Sequence, residues 1–295
     1  MSAERAAAVA IPVAGMMTRL SLCNEVLGEF PFERQCSIAA ALGYAALEVA
    51  PFTLAEDPRS ITDKQARQFR AIAADHGLAV SGLHWLLVKP KGFSITTPDP
   101  AVRERTLAWM RRCVELCALM GGDYLVHGSP AERAIAPGQT HADALARATE
   151  CWLLAGQAAD RAGVRYCIEP LSPNQTPIVN TVEQARAIVR AANCAGLRSM
   201  LDTCSGAKSE AQPLEQVIDQ HWPSGDLVHI QLNDRNLRAP GQGTDRFAPI
   251  LAALARQGYA GWLAVEPFEY QPDGATTAAV AAGYLRGTLE TLGLD

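Results

Sequence analysis

A short apolar run of strand type and a longer stretch of helical periodicity alternate eight times along this chain. The strand runs are Arg19–Cys23, Ala45–Val49, Ala79–Trp85, Tyr124–His127, Arg165–Glu169, Arg198–Asp202, Leu227–Leu232 and Gly261–Glu266. Helical patterns follow at Phe32–Leu42, Thr62–His76, Ala101–Met120, His141–Ala162, Val182–Asn193, Leu214–His221, Phe247–Gln257 and Thr276–Thr291. The joints in "ALGYAALEV", "DHGLAVSGLH", "LMGGDYLVHG", "RAGVRYCIE", "CAGLRSMLD" and "RQGYAGWLAVE" share one device: a helix stops at glycine and the chain enters a strand within a few residues. Eight units in 295 residues, about 37 each, predict a single-domain α/β fold, a (β/α)8 TIM barrel. An open doubly wound sheet is the alternative. The first strand, however, is followed by no GxGxxG, and polar residues recur at strand ends all round the series.

Composition sets the surroundings of such a barrel. At 48% hydrophobic the chain can bury a large core, and a net charge of −5 argues against a broad nucleic-acid surface. Eight cysteines without CxxC spacing, several inside apolar runs, read as buried thiols of a reducing, cytoplasmic compartment. No apolar run is long enough to span a membrane. The stretch "AAAVAIPVAGMM" makes a poor secretory signal, so residues 1–17 are expected to be a disordered tail before a barrel over 18–295.

In a barrel all strand C-terminal ends meet at one mouth. Glu48, His84, His127, Glu169, Asp202, His229 and Glu266 stand at or near seven successive ends. One such residue is ordinarily half of an ion pair or a satisfied core group, but seven at equivalent places point to a site. The acids outnumber the bases, and crowded carboxylates hold protons unless a cation neutralises them. The expected ligands are Glu169, Asp202, His229 and Glu266. Three carboxylates and one imidazole suit Mn²⁺, Mg²⁺ or Co²⁺, with Zn²⁺ also compatible. Pro170 and Pro267 hold the preceding glutamates extended and interrupt ladder pairing there.

In order, "IEPL", "MLDT", "HIQLNDRNLRAPGQG" and "AVEPF" resemble the sugar (phosphate) isomerase/epimerase family of xylose-isomerase-like barrels, nearest in pattern to ketose 3-epimerases of the tagatose and psicose type. The resemblance implies that Glu169, Asp202, His229 and Glu266 bind one divalent metal, that both glutamates move protons, and that Arg235 contacts substrate. It also implies a sugar substrate and a homo-oligomer, dimer or tetramer. Two positions depart from the pattern: Ser205 stands for a substrate-binding histidine and Gln175 for a glutamate.

Proton removal beside a ketone gives an enediolate, whose oxygens a metal stabilises while one glutamate takes the proton and the other returns it. His84, His127 and Glu48 are further candidates for sugar hydroxyls, and Trp85 and Phe268 for apolar walls. Lys89 and Lys91 read as solvated, and "RAPGQG" as a flexible loop able to close over the mouth. The rival readings are a sugar or cyclitol dehydratase, an apurinic-site endonuclease-like hydrolase using His84 and His127 for more metal, and a silent sugar-binding barrel. Against the hydrolase stand the acidic charge and Ser205 and Phe247 where further ligands would fall.

Overall fold

The computed structural model describes residues 20–294, so the expected N-terminal tail lies outside the described residues. The strands are β1 (Leu20–Cys23), β2 (Ala46–Val49), β3 (Ala79–Leu83), β4 (Tyr124–His127), β5 (Arg165–Ile168), β6 (Leu197–Asp202), β7 (Leu227–Leu232) and β8 (Leu263–Val265). They form a closed parallel barrel in chain order, sealed where Leu22 of β1 pairs with Val265 of β8. The helices are α1 (Phe32–Ala41), α2 (Asp63–Asp75), α3 (Pro100–Met120), α4 (His141–Ala162), α5 (Val182–Ala192), α6 (Thr203–Ser209), α7 (Leu214–His221), α8 (Ala248–Arg256) and α9 (Gly274–Leu292). The TIM-barrel expectation holds.

Local chemistry explains the boundaries. Asp99 accepts from the backbone of Ala101 and Val102 to start α3 at Pro100, and left-handed Gly121 ends it. The joint before β6 differs from the sequence reading. The residue ending α5 is Asn193, at φ 43°, not the glycine. Gly196 instead lies so close to the Gly156 carbonyl and the Asp160 amide of α4 that a methyl group would overlap both. Its role is close helix–strand approach.

Side chains alternate along each strand. The outward set, including Leu22, Leu47, Leu125 and Ile168, packs with helix residues such as Trp152 in the main core. Inside the barrel a smaller cluster holds Tyr124, Val126, Cys167 and Met200. Ser21 and Ser81, also buried, share a 2.8 Å hydrogen bond. Each buried aliphatic side chain contributes roughly 1.5–3 kcal/mol, so the two layers set the strand ends rigidly.

Candidate active site

The ladder stops where the two prolines predicted. β5 ends at Ile168 and β8 at Val265, each one residue before its glutamate. Glu169 still donates its N–H to the His127 carbonyl (3.3 Å) and Glu266 to that of Leu232 (3.2 Å). The Glu169, Asp202 and Glu266 carboxylates converge, with one oxygen of each within 4.8 Å of the others. All three residues are buried, and one oxygen each of Asp202 (Oδ2) and Glu266 (Oε2) lacks a hydrogen-bond partner.

Burial, reinforced by Glu266 and Asp202, pushes the Glu169 carboxyl well above the carboxylate range. Burial takes Asp202 to about 6 and Glu266 to about 8. A divalent cation would relieve this crowding, and the unpartnered oxygens suit one. The donor set fits a metal.

His229 is not part of this cluster. In the β6–β7 register His229 pairs with Met200, whereas Gln231 pairs with Asp202. The imidazole therefore lies one layer below the mouth, stacked on Tyr124 at 3.8 Å with Nε2 3.1 Å from Glu48 Oε2. Gln231 takes the level expected for His229. It is fully buried, its amide N–H donates to Glu48 Oε1 (2.6 Å), and its Oε1 has no partner.

Glu48 is a hub under the mouth, bonded to the Tyr124 hydroxyl, His229 and Gln231. Burial alone would raise its carboxyl, but His229, His84 and the Tyr124 hydroxyl outweigh it and hold Glu48 below the ordinary value. With no exposed surface, it supports the site from beneath and is not placed to bind a sugar hydroxyl.

His84 does reach the centre. Its Nδ1 lies 2.9 Å from Glu266 and its Nε2 2.9 Å from Glu25. Burial would lower its pKa, but Glu25, Glu266 and Glu48 together raise it well above the ordinary value. His127 faces the other way. Consecutive strand residues alternate, so with Val126 inward His127 turns to the helix layer, edge-on to Trp152 and bonded to the Tyr166 hydroxyl (2.7 Å). Burial and Arg133 keep it neutral, and it is not a site residue.

Arg235 is also displaced. Its side chain is 59% exposed and pairs with Asp245 at 2.6 Å, in a separate cavity bordered by Glu210 and Phe247. The "RAPGQG" loop is braced: buried Asp234 accepts from the Asn236 and Asp245 amides, and Arg238 and Gln242 donate to Gln271.

Three contributors escaped the sequence reading. Glu25 follows β1 in a 3-10 turn, a place where "CNEV" offered a polar strand end. Cys23 lies beside it, in a second group with Glu25, His84 and Glu266. Buried Arg133 donates to the Glu169 carbonyl (2.8 Å) and to that of His127, with its guanidinium 5.3 Å from the Trp152 ring. Burial lowers it to about 10 while Glu169 opposes the shift.

The pocket over the carboxylates is lined by Trp85, Val126, Ser129, Leu171, Gln175 and Phe268 besides His84, Glu169 and Glu266. Trp85 and Phe268 meet edge to face with centroids 6.1 Å apart, so the expected walls are present. The two departures from the family pattern touch each other, Ser205 Oγ donating to Gln175 Oε1 at 3.1 Å. Gly128 lies against Glu169 so closely that a methyl group would overlap its carboxylate. Gly128→Ala is expected to fold, because its backbone is not left-handed, yet to lose at least about tenfold in metal affinity. Calorimetric titration with Mn²⁺ checks this.

The sequence matches the family model described as a xylose isomerase-like TIM barrel over residues 36–287. The chain belongs to this family. Within the xylose isomerase-like barrels it is similar to a probable ketose 3-epimerase of Synechocystis sp. That similarity is 23% identity over 183 residues, covering 62% of this chain and 63% of the relative, just under two thirds of its length. A D-psicose 3-epimerase of Ruminiclostridium cellulolyticum is 24% identical, over 78% of this chain and 75% of its own. A putative hydroxypyruvate isomerase of Streptomyces coelicolor is 28% identical, over 83% and 87% respectively. The solved L-ribulose 3-epimerase superposes with a TM-score of 0.79 at 21% identity, covering 93% of this chain and 95% of that one. At that identity the likeness is one of fold.

Proposed function

We propose that this chain is a divalent-metal-dependent sugar isomerase or epimerase that moves a proton beside the carbonyl of a ketose, with Glu169 and Glu266 as acid and base. The observation that carries the reading is the meeting of Glu169, Asp202 and Glu266 at three strand ends, buried, with Asp202 and Glu266 oxygens left unpartnered beneath a pocket that Glu169 and Glu266 line. Names of similar proteins point the same way, since ketose 3-epimerases recur among them.

The residues that would hold the cation are Glu169, Asp202 and Glu266, with the Gln231 amide oxygen as fourth donor in place of His229. Glu48 fixes that amide by accepting its N–H, which turns the oxygen away from Glu48. A set of four oxygens suits Mn²⁺ or Mg²⁺ better than Zn²⁺. When bound, the cation would polarise the carbonyl and the adjacent hydroxyl of the sugar. One glutamate takes the proton from carbon and the other delivers one. Return to the opposite face of the same carbon gives an epimer, and return to the neighbouring carbon gives an isomer. His84 orients the Glu266 carboxylate, Arg133 anchors the Glu169 main chain, and the Trp85–Phe268 wall limits water.

The hydrolase reading loses support, because His127 is turned into the helix layer and cannot help hold more metal. A reducing compartment agrees with eight free cysteines. Among the described residues no helix is long and apolar enough to cross a membrane.

Two variants test the donor set. Gln231→Leu is expected to lower Mn²⁺ affinity at least about tenfold, while His229→Gln keeps one ion per chain. The reverse pattern, by metal analysis after dialysis, would return His229 to the ligands. Deuterium wash-in from D₂O across a panel of ketoses tests the reaction itself, and absence of exchange with every ketose would sink it.

A further inference from the structure

A second group of ligand-type side chains stands beside the carboxylate centre, and two of its members, Cys23 and Glu25, have no part in the proposed reaction. Cys23, Glu25, His84 and Glu266 each offer one ligand atom within 4.8 Å of the others. The group is held from outside. Buried Asn24, between Cys23 and Glu25, donates to Gln35 (2.9 Å) and Thr53 (2.7 Å) and accepts the Ala50 amide (2.8 Å). The backbone that carries Cys23 and Glu25 therefore cannot shift without breaking three hydrogen bonds. Across from it, the His84 amide donates to the Val49 carbonyl (3.1 Å), and Trp85, at φ 52°, turns the chain away at once.

An ion pair alone does not account for this group. His84 Nε2 lies 2.9 Å from Glu25 Oε2 without the alignment of a hydrogen bond, so both atoms, and Glu25 Oε1 with them, are buried and unsatisfied. Cys23, fully buried, brings its sulfur to the same place. Both His84 nitrogens face carboxylates, so Cys23 has no free base beside it and does not read as a nucleophile. On the other side of the ring, His84 Nδ1 donates to Glu266 Oε1 at 2.9 Å. A carboxylate that accepts from one ring nitrogen is the usual partner of an imidazole that binds a metal through the other.

We propose that Cys23, Glu25 and His84 Nε2 hold a second divalent ion, of the Zn²⁺ type. A thiolate, an imidazole and one carboxylate select Zn²⁺ or Co²⁺ over Mn²⁺ and Mg²⁺, whereas the oxygen donors of the neighbouring centre favour the latter pair. Ligand chemistry would thus sort two different ions into adjacent places. Glu266 links them, with Oε2 free for the first ion and Oε1 held by His84. Glu25 keeps 13% of its side chain exposed, which leaves a way in. An ion there ties β1 to the residue after β3, beside the seam where β8 closes the barrel, and so steadies the Glu266 carboxylate. The hydrolase reading is not revived, because His127 remains turned away.

The test uses the full chain, stripped of metal and then dialysed against excess Mn²⁺ with one equivalent of Zn²⁺. One ion of each kind per chain is expected. Co²⁺ in place of Zn²⁺ should give a near-ultraviolet sulfur-to-cobalt charge-transfer band. Cys23→Ser should abolish that band, weaken Zn²⁺ binding at least about 10²-fold, and keep the Mn²⁺. Glu169→Gln should do the opposite, weakening Mn²⁺ and keeping the band, so this ion stands or falls apart from the isomerase reading. Fewer than two ions per chain, or a band that survives Cys23→Ser, would overturn the proposal. Should Cys23→Ser not fold, Glu25→Gln decides: a loss of at least about tenfold in Zn²⁺ affinity upholds the site, and unchanged affinity refutes it.

Discussion

Glu169→Gln and Glu266→Gln are expected to fold, to bind Mn²⁺ weakly, and to remain inactive at saturating metal, with losses of about 10²–10⁴-fold. Glutamine keeps the size of the side chain and one oxygen donor. At Glu266 the amide oxygen can still accept from His84, which now lies 2.9 Å from the carboxylate. What disappears is a group able to take or give a proton. Each variant should still exchange the substrate proton served by its remaining glutamate, so deuterium wash-in without product is the decisive readout. Full rescue of both by excess metal would reduce the glutamates to ligands and remove the two-carboxylate mechanism.

The metal-free protein should lose stability as pH rises through the window in which its crowded carboxylates ionise. Folded Asp202 holds its proton to about 6 and Glu266 to about 8, whereas both would release it near pH 4 in the unfolded chain. Between those limits the native state binds more protons than the unfolded one, so its stability falls with increasing pH. His84, raised by Glu25, Glu266 and Glu48 against the effect of burial, works in the same direction, because its stabilising charge is lost as pH climbs. The combined effect is on the order of a few kcal/mol. Mn²⁺ replaces the missing protons, so the gap in Tm between loaded and metal-free protein should widen from pH 5.5 to 8 by several degrees. A gap that stays constant or shrinks would contradict the proposed cation site.

Sequence pattern was sufficient wherever a single periodicity decided the outcome. All eight strands and the eight predicted helices lie where apolar spacing and turn residues put them, with ends shifted by at most two residues. The seven-residue α6 was invisible, because "TCSGAKS" carries no apolar stripe and its start is set by the Asp202 side chain. Within the candidate site, Glu169, Asp202 and Glu266 were legible because each ends its strand or stands one residue beyond it. His229 stands two residues short of the level of Asp202, which Gln231 takes in the β6–β7 register, and residue type alone does not show that offset. His127 failed on parity, since the inward residue of its strand is Val126. Arg133 could not have been found, because nothing in "GSPAER" shows that its arginine turns back beneath Glu169.

Asp202 serves two structures at once. Its Oδ1 accepts the Ser205 amide at 2.6 Å and so begins α6, while Oδ2 is the oxygen left free for a cation. The same carboxylate is thus a rivet between the ion and the short helix that carries Ser205, and Ser205 holds Gln175 at the pocket wall. A shift of Asp202 by a few tenths of an ångström on loading would pass directly to the Ser205–Gln175 contact at the pocket wall. The expected order of assembly is therefore ion before sugar, with an empty cation site blurring sugar selectivity as well as rate.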